Sequence, residues 1–138
     1  MNNCQVEPQE LFHDLIINLG QIVQLDAVIL FGSRATGKAT EDSDYDLVFI
    51  GNFLCPRIER VKMVLRLKPP RIPIDVFCYT PEEFERAFQA FSLTAIDAVG
   101  EGIVLLGDIF VQPFKERYAD LVHAGMHKGK SILILPAA

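Results

Sequence analysis

Cysteine is scarce and scattered in this chain: Cys4, Cys55 and Cys78 are its three, and no two form a CxxC pair. An odd, dispersed set excludes a disulfide framework and reads as a reduced, cytosolic protein. Long apolar runs are missing as well. Stretches such as Ala27–Phe31 and Leu47–Ile50 are far too short to span a bilayer. The opening Met1-Asn2-Asn3-Cys4 has no charged segment leading into an apolar one, so no signal peptide is expected. A cytoplasmic location, without membrane attachment, follows by default. Positive charge is in deficit: 13 Lys and Arg stand against 18 Asp and Glu, a formal net charge of −5. That balance speaks against broad, sequence-independent binding of nucleic acid, which needs basic surface to displace counterions. There is no internal repeat and no low-complexity segment.

Apolar mass, by contrast, is plentiful. Half of the 138 residues are hydrophobic and 22% are charged, enough for a packed core in one domain spanning residues 1–138. The tail from about residue 125 to 138 is left unassigned. Mean hydropathy is +0.25, high for a small free-standing domain, because small domains bury a smaller fraction of their surface. Part of the surplus is expected against a partner, in a homo- or hetero-oligomer.

Helical spacing runs through Leu11, Phe12, Leu15, Ile16, Leu19, Ile22 and Val23, with Pro8 at the entry. Ala27–Phe31 has the length and β-branched content of a buried strand, ended by Gly32-Ser33. Residues 34–44 read as a polar loop, and Leu47–Ile50 as a second strand stopped by Gly51-Asn52. Pro56 opens a helix through Leu67, with Ile58, Val61, Val64 and Leu65 inward and most basic residues outward; Pro69-Pro70 ends it. Ile72–Tyr79 predicts a third strand, with Pro73 near its beginning or on an edge. Thr80-Pro81-Glu82-Glu83 supplies the cap, first-turn proline and acids of a helix start, and Phe84, Ala87, Phe88 and Phe91 follow as its core face. Leu93–Val99 predicts another helix, Ile103–Leu106 a fourth strand, and Pro113–Val122 a last helix entered at its proline. The order α-β-β-α-β-α-α-β-α predicts an α/β (α+β) fold, a small sheet covered by helices mainly on one face.

Chemistry concentrates in Gly32-Ser33-Arg34-Ala35-Thr36-Gly37-Lys38-Ala39-Thr40-Glu41-Asp42-Ser43-Asp44-Tyr45-Asp46-Leu47. A strand ending in Gly-Ser frees backbone and a hydroxyl to approach a ligand. A short helical turn after it would offer amides to phosphate oxygens. Asp44 and Asp46 are two apart at the mouth of a strand, so they share a face and repel unless a cation joins them. Hard oxygen donors of this kind suit Mg²⁺. Asp75 interrupts the apolar strand Ile72–Phe77 and, as a carboxylate between Ile74 and Val76, wants a cation or a donor. If its strand lies beside that of Asp46, three carboxylates converge, which is the equipment of two-metal transfer chemistry.

Gly-Ser, ten intervening residues, Asp-x-Asp and a later strand acid resemble the minimal nucleotidyltransferases of the DNA polymerase beta superfamily, including the MntA-type antitoxins. The likeness extends to Ala35, Gly37, Ser43 and Leu47 and covers roughly Leu11–Leu106. The resemblance implies a mixed sheet flanked by helices, the nucleotidyltransferase fold, with ATP as substrate and two Mg²⁺ ions held by Asp44, Asp46 and Asp75 as the catalytic set. Gly32 and Ser33 would bind the triphosphate, with Arg34 and Ser43 completing the nucleotide site. Thr36 stands where the family commonly has an arginine, which leaves open how the outer phosphates are neutralised, with Arg34 and Lys38 as the candidates. Short members of the family are often antitoxins paired with a helical HEPN-type toxin, to whose tyrosine they transfer AMP. The same resemblance leaves two alternatives: an antitoxin acting by contact alone, and a transferase acting on a small molecule such as an antibiotic.

Other features read more plainly. The basic stretch 57–71 reads as the wet face of an amphipathic helix before it reads as a surface for RNA, toxin or substrate. His123 and His127 are four apart but lack a third ligand nearby. Cys55 and Cys78 read as inert small hydrophobes, and Ile132–Leu135 as a pairing strand, a partner contact or a disordered tail.

Overall fold

Runs that are apolar on both faces need cover on both sides, and the two such runs here become adjacent strands. In the computed structural model, which describes residues 6–129 and 133–136, these are β1 (Leu25–Phe31) and β2 (Tyr45–Gly51). β3 (Ile74–Tyr79) and β4 (Ile103–Leu106) flank them in the order β3-β2-β1-β4. β1 pairs antiparallel with both β2 and β4, while β2 and β3 run parallel, so the sheet is mixed. Cys4 and Ile132 lie outside the described residues.

Helices cover both faces of this sheet, not mainly one as the element order suggested. Alternation along β2 sends Val48 and Ile50 to one side and Leu47 and Phe49 to the other. The first side packs on α5 (Pro81–Gln89), α6 (Leu93–Glu101) and α7 (Asp108–His123), through Phe84, Phe88, Ile96, Val99 and Phe114. The second packs on α1 (Pro8–Leu11), α2 (His13–Gly20) and α4 (Arg57–Leu67), through Phe12, Leu15, Leu19 and Val64. The expected first helix is in fact two, broken at the fully buried Phe12 (φ −104°, ψ 8°). α3 (Ser33–Thr36) is the single turn after β1.

Three other expectations need correction. In α4 the inward stripe is Arg60 and Val64, whereas Ile58 and Leu65 are 62% and 41% exposed; the helix is rotated so that a cation, not an isoleucine, goes in. α7 starts at Asp108, five residues before the expected proline, and Pro113 lies in its interior. That proline removes one helical hydrogen bond, to the carbonyl of Ile109. Ile109 is 91% exposed, so water can serve the freed acceptor. Phe91 lies past the end of α5 rather than on it, at φ 58°. Its amide donates to the carbonyl of Phe88 and that of Ser92 to Ala87, the paired bonds of a Schellman turn at a position usually given to glycine.

The tail contributes a small antiparallel pair, β5 (His127–Lys128) with β6 (Leu133–Ile134). Lys128 ties it to α6 through Asp97 and Glu101, at 3.1 and 3.3 Å. His123 ends α7 while His127 sits in β5, so the two histidines do not share a helix face. Burial pushes the Cys78 thiol up to about 12, consistent with an inert hydrophobe.

Arg60 explains much of the end of the sheet where β3 stops. Its guanidinium donates to the carbonyls of Cys55 (2.7 Å) and Cys78 (3.4 Å) and to the Glu83 carboxylate (2.6 and 3.3 Å). Glu83 also accepts from the Thr80 amide, and Thr80 accepts from the Glu83 amide, closing a capping box on α5. The hydrogen bond from Arg60 is the main reason the Glu83 carboxyl titrates below its usual value. A carboxyl depressed in the folded state stabilises the fold above its unfolded pKa, and that contribution fades as pH falls through the folded value. Arg60→Met should therefore destabilise the protein by about 2–3 kcal/mol at neutral pH, by leaving Glu83 unpaired. Urea melts should show the loss shrinking below about pH 4, as Glu83 protonates.

Candidate active site

The backbone after β1 is shaped for close approach. Gly32 has φ 76° and ψ −158°, a conformation open essentially to glycine alone. Its carbonyl accepts from the amides of Ala35 and Thr36, which starts α3. The expected helical turn is thus present, and its first amides have no acceptor within their own helix. Gly37 closes the turn in the left-handed region at φ 80°. A second reason for glycine at 32 lies in its neighbour: a Cβ there would sit 2.2 Å from Oδ2 of Asp46. The Asp46 carboxylate rests directly over the Gly32 backbone.

Asp46 stands opposite Phe31 of β1 on one side and beside Asp75 of β3 on the other. In a parallel pair, residues in register project to the same face, so Asp46 and Asp75 share the side on which Val48 and Phe77 enter the core. Asp44 precedes the strand by one residue. The backbone register brings two of the three expected acids, Asp46 and Asp75, side by side. Asp46 titrates above its usual value, first because it is desolvated, then because Asp75 and Asp44 both oppose its charge. Asp44 and Asp75 are exposed, so Asp75 is not the buried acid its apolar flanks suggested; β3 is an edge strand and lets it reach water. Among the described residues, no three His, Cys, Asp or Glu side chains form a set that could hold a metal ion as they stand. Side-chain rotation is needed to close the three carboxylates on one ion, and their mutual repulsion opposes it.

The remaining site candidates are placed as follows. Ser33 is the first residue of α3. Ser33 and Arg34 line a cleft of about 480 Å³ together with Pro8, Leu11 and Tyr45, but the three acids are not among its walls. Ser43 closes a small turn, its hydroxyl accepting from the Thr40 amide at 2.9 Å. Arg34 reaches back to the loop, donating to the Ser43 carbonyl and stacking on Tyr45. Lys38 and Thr36 are exposed. Tyr45, given no role in the sequence reading, lines that cleft. Its ring packs on the face opposite Asp46, edge-on to Phe12 at 5.2 Å; its place between two acids in a strand was the available signal.

Two outcomes follow. Gly32→Ala should cost about 2 kcal/mol, from the positive φ and the displaced carboxylate, and a thermal melt reads that loss. Asp46→Asn should raise the melting temperature in metal-free buffer, because it removes the desolvated charge that its neighbours repel. The sign follows from the raised pKa: an ionised Asp46 disfavours the folded state above that pKa, and wild-type stability recovers as pH falls through it. The gap between variant and wild type should therefore close in acid.

The nucleotidyltransferase domain family matches residues 16–123. No curated protein sequence matches the chain. Among solved structures, a chain from a toxin–antitoxin with AMP-PNP matches at 21% identity over 77% of this chain and 86% of that one, with a TM-score of 0.53. A chain from a mutant of the toxin–antitoxin MntA–HpeT matches at 19% identity over 76% and 85%, with a TM-score of 0.51. A chain from a tri-AMPylated Shewanella oneidensis HEPN toxin in complex with MNT antitoxin matches at 20% identity over 81% and 87%, with a TM-score of 0.48. At these identities the likeness is one of fold. The family match spans most of the sequence and contains the glycine-serine turn and all three rim acids, and on that ground the chain belongs to the nucleotidyltransferase domain family.

Proposed function

We propose that this protein transfers AMP from ATP to an acceptor hydroxyl, a tyrosine of a HEPN-type toxin that it neutralises, in a Mg²⁺-dependent reaction. The observation that carries the reading is the β2/β3 register, which sets Asp46 beside Asp75 over the Gly32 turn. Family membership supports nucleotidyl transfer as the chemistry. The partner is supported by the toxin–antitoxin complexes that share the fold, one of them holding AMP-PNP. Exposed apolar side chains such as Leu54 (92%), Ile109 (91%) and Ile22 (63%) leave surface for such a partner.

In the reaction, the acceptor oxygen bonds to the α-phosphorus, the bond to the bridging oxygen breaks, pyrophosphate leaves and the hydroxyl proton passes to solvent. Carboxylate oxygens are the hard donors magnesium takes, so Asp44, Asp46 and Asp75, once their side chains turn toward one another, would hold Mg²⁺. When bound, the ion supplies neutralisation of the triphosphate and a lowered pKa at the acceptor hydroxyl. The amides and hydroxyl of Gly32-Ser33 orient phosphate oxygens, with glycine allowing their close approach. Asp75, exposed on the edge strand, stands where an acceptor can enter from solvent.

The test is incubation of the purified chain and its toxin with labelled ATP and Mg²⁺. Label should reach the toxin, and a toxin Tyr→Phe series should locate it. Asp44→Asn, Asp46→Asn and Asp75→Asn should each slow transfer by at least about 10²-fold, as loss of groups that hold or orient a metal does, and chelation should stop it. Transfer by Asp46→Asn at the wild-type rate would defeat the proposal. Neutralisation of the toxin that survives loss of Asp44 and Asp46 would instead indicate inhibition by contact alone.

A further inference from the structure

Arg34 follows the glycine-serine turn, where a phosphate ligand would be convenient, yet its side chain is engaged elsewhere. Nε donates to the Ser43 carbonyl at 3.1 Å, and Nη2 to the same oxygen at 2.9 Å and to the Glu41 carbonyl at 3.4 Å. Its guanidinium carbon lies 4.5 Å from the centre of the Tyr45 ring. The carbonyl held twice belongs to the peptide bond that joins Ser43 to Asp44. Arg34 therefore grips Asp44 from both neighbours, by a forked hydrogen bond before it and a stacked ring after it. Tyr45 in turn is fixed, its ring against Phe12 at 5.2 Å and its amide on the Pro73 carbonyl at 2.9 Å.

Such a grip has work to do. Asp44 is an exposed acid at the end of a polar loop, and Asp46 and Asp75 are neighbours of the same charge. Building on the metal reading proposed above, we propose that Arg34 is a positioning residue: it holds the Ser43–Asp44 peptide in place so that the Asp44 carboxylate stays within reach of the ion bound by Asp46 and Asp75. It is not a ligand of the nucleotide's phosphates. The planar fork and the stack are properties of arginine that lysine does not share. The clamp is therefore specific to the guanidinium, whereas a phosphate contact would largely accept any cation.

The experiment measures Mn²⁺ binding to the full chain by calorimetry, without nucleotide, for wild type, Arg34→Lys, Arg34→Met and Tyr45→Leu. Melting curves are recorded beside each titration. The clamp predicts Mn²⁺ affinity about 10-fold weaker in both Arg34 variants, as for other residues that orient metal ligands, with no rescue by lysine. Tyr45→Leu should weaken binding in the same direction, because the stack is lost while the charge remains. If Mn²⁺ affinity is wild-type in both Arg34 variants, the clamp is overturned. If Arg34→Lys restores what Arg34→Met loses, a role as simple positive charge replaces it. A wild-type chain that binds no Mn²⁺ overturns the metal reading and the clamp with it. Should Arg34→Met fail to fold, Arg34→Lys and Tyr45→Leu still decide the matter.

Discussion

Everything at the acid-bearing rim depends on the parallel pairing of β2 with β3. That register places Asp46 beside Asp75, and the pleat puts both on one face. Like charges at neighbouring strand positions oppose folding. The sheet nevertheless holds them together because the rest of β2 is committed to the core, with Leu47, Val48, Phe49 and Ile50 fully buried, and β3 is anchored by the buried Cys78 and Tyr79. A slip by one residue would send that whole set to the wrong face. Hydrophobic burial therefore enforces an electrostatic arrangement that the acids themselves resist.

The two ends of the sheet treat charge in opposite ways. Where β3 ends, Arg60 and Glu83 are paired, hydrogen-bonded and tied to a helix cap. Where β2 and β3 begin, the acids confront one another and Arg34 is spent on backbone carbonyls. One end is a fastening; the other holds like charges in opposition. Under the proposed function this second end, with the glycine that clears space for Asp46 and the forked grip on the Ser43–Asp44 peptide, is where the chemistry would take place.

Much of this was legible in the residues. Gly32-Ser33 and Asp44-x-Asp46 are local, so their spacing together with the family resemblance singled them out, and the strands that carry them are continuous apolar runs. Asp75 stood out as one acid in an apolar strand, although its exposure depended on β3 being an edge, which no local pattern encodes. The inward turn of Arg60 was hidden for a related reason: periodicity sorts polar residues outward, and the partners that make a buried guanidinium tolerable include Glu83, 23 residues on, and the carbonyl of Cys78, 18 residues on. Pro113 misled because a proline can sit in a second turn when the carbonyl it frees is open to water. Phe91 was read as helix because its ring does face the core; its backbone sits in the left-handed region all the same.

The thiol of Cys78 lies under α4, 5% exposed and held protonated by its surroundings. An alkylating reagent can meet it only during excursions that lift β3 from its cover. Cys78 is thus a timekeeper native to the chain: the pace at which it is consumed registers how often the strand bearing Asp75 comes loose.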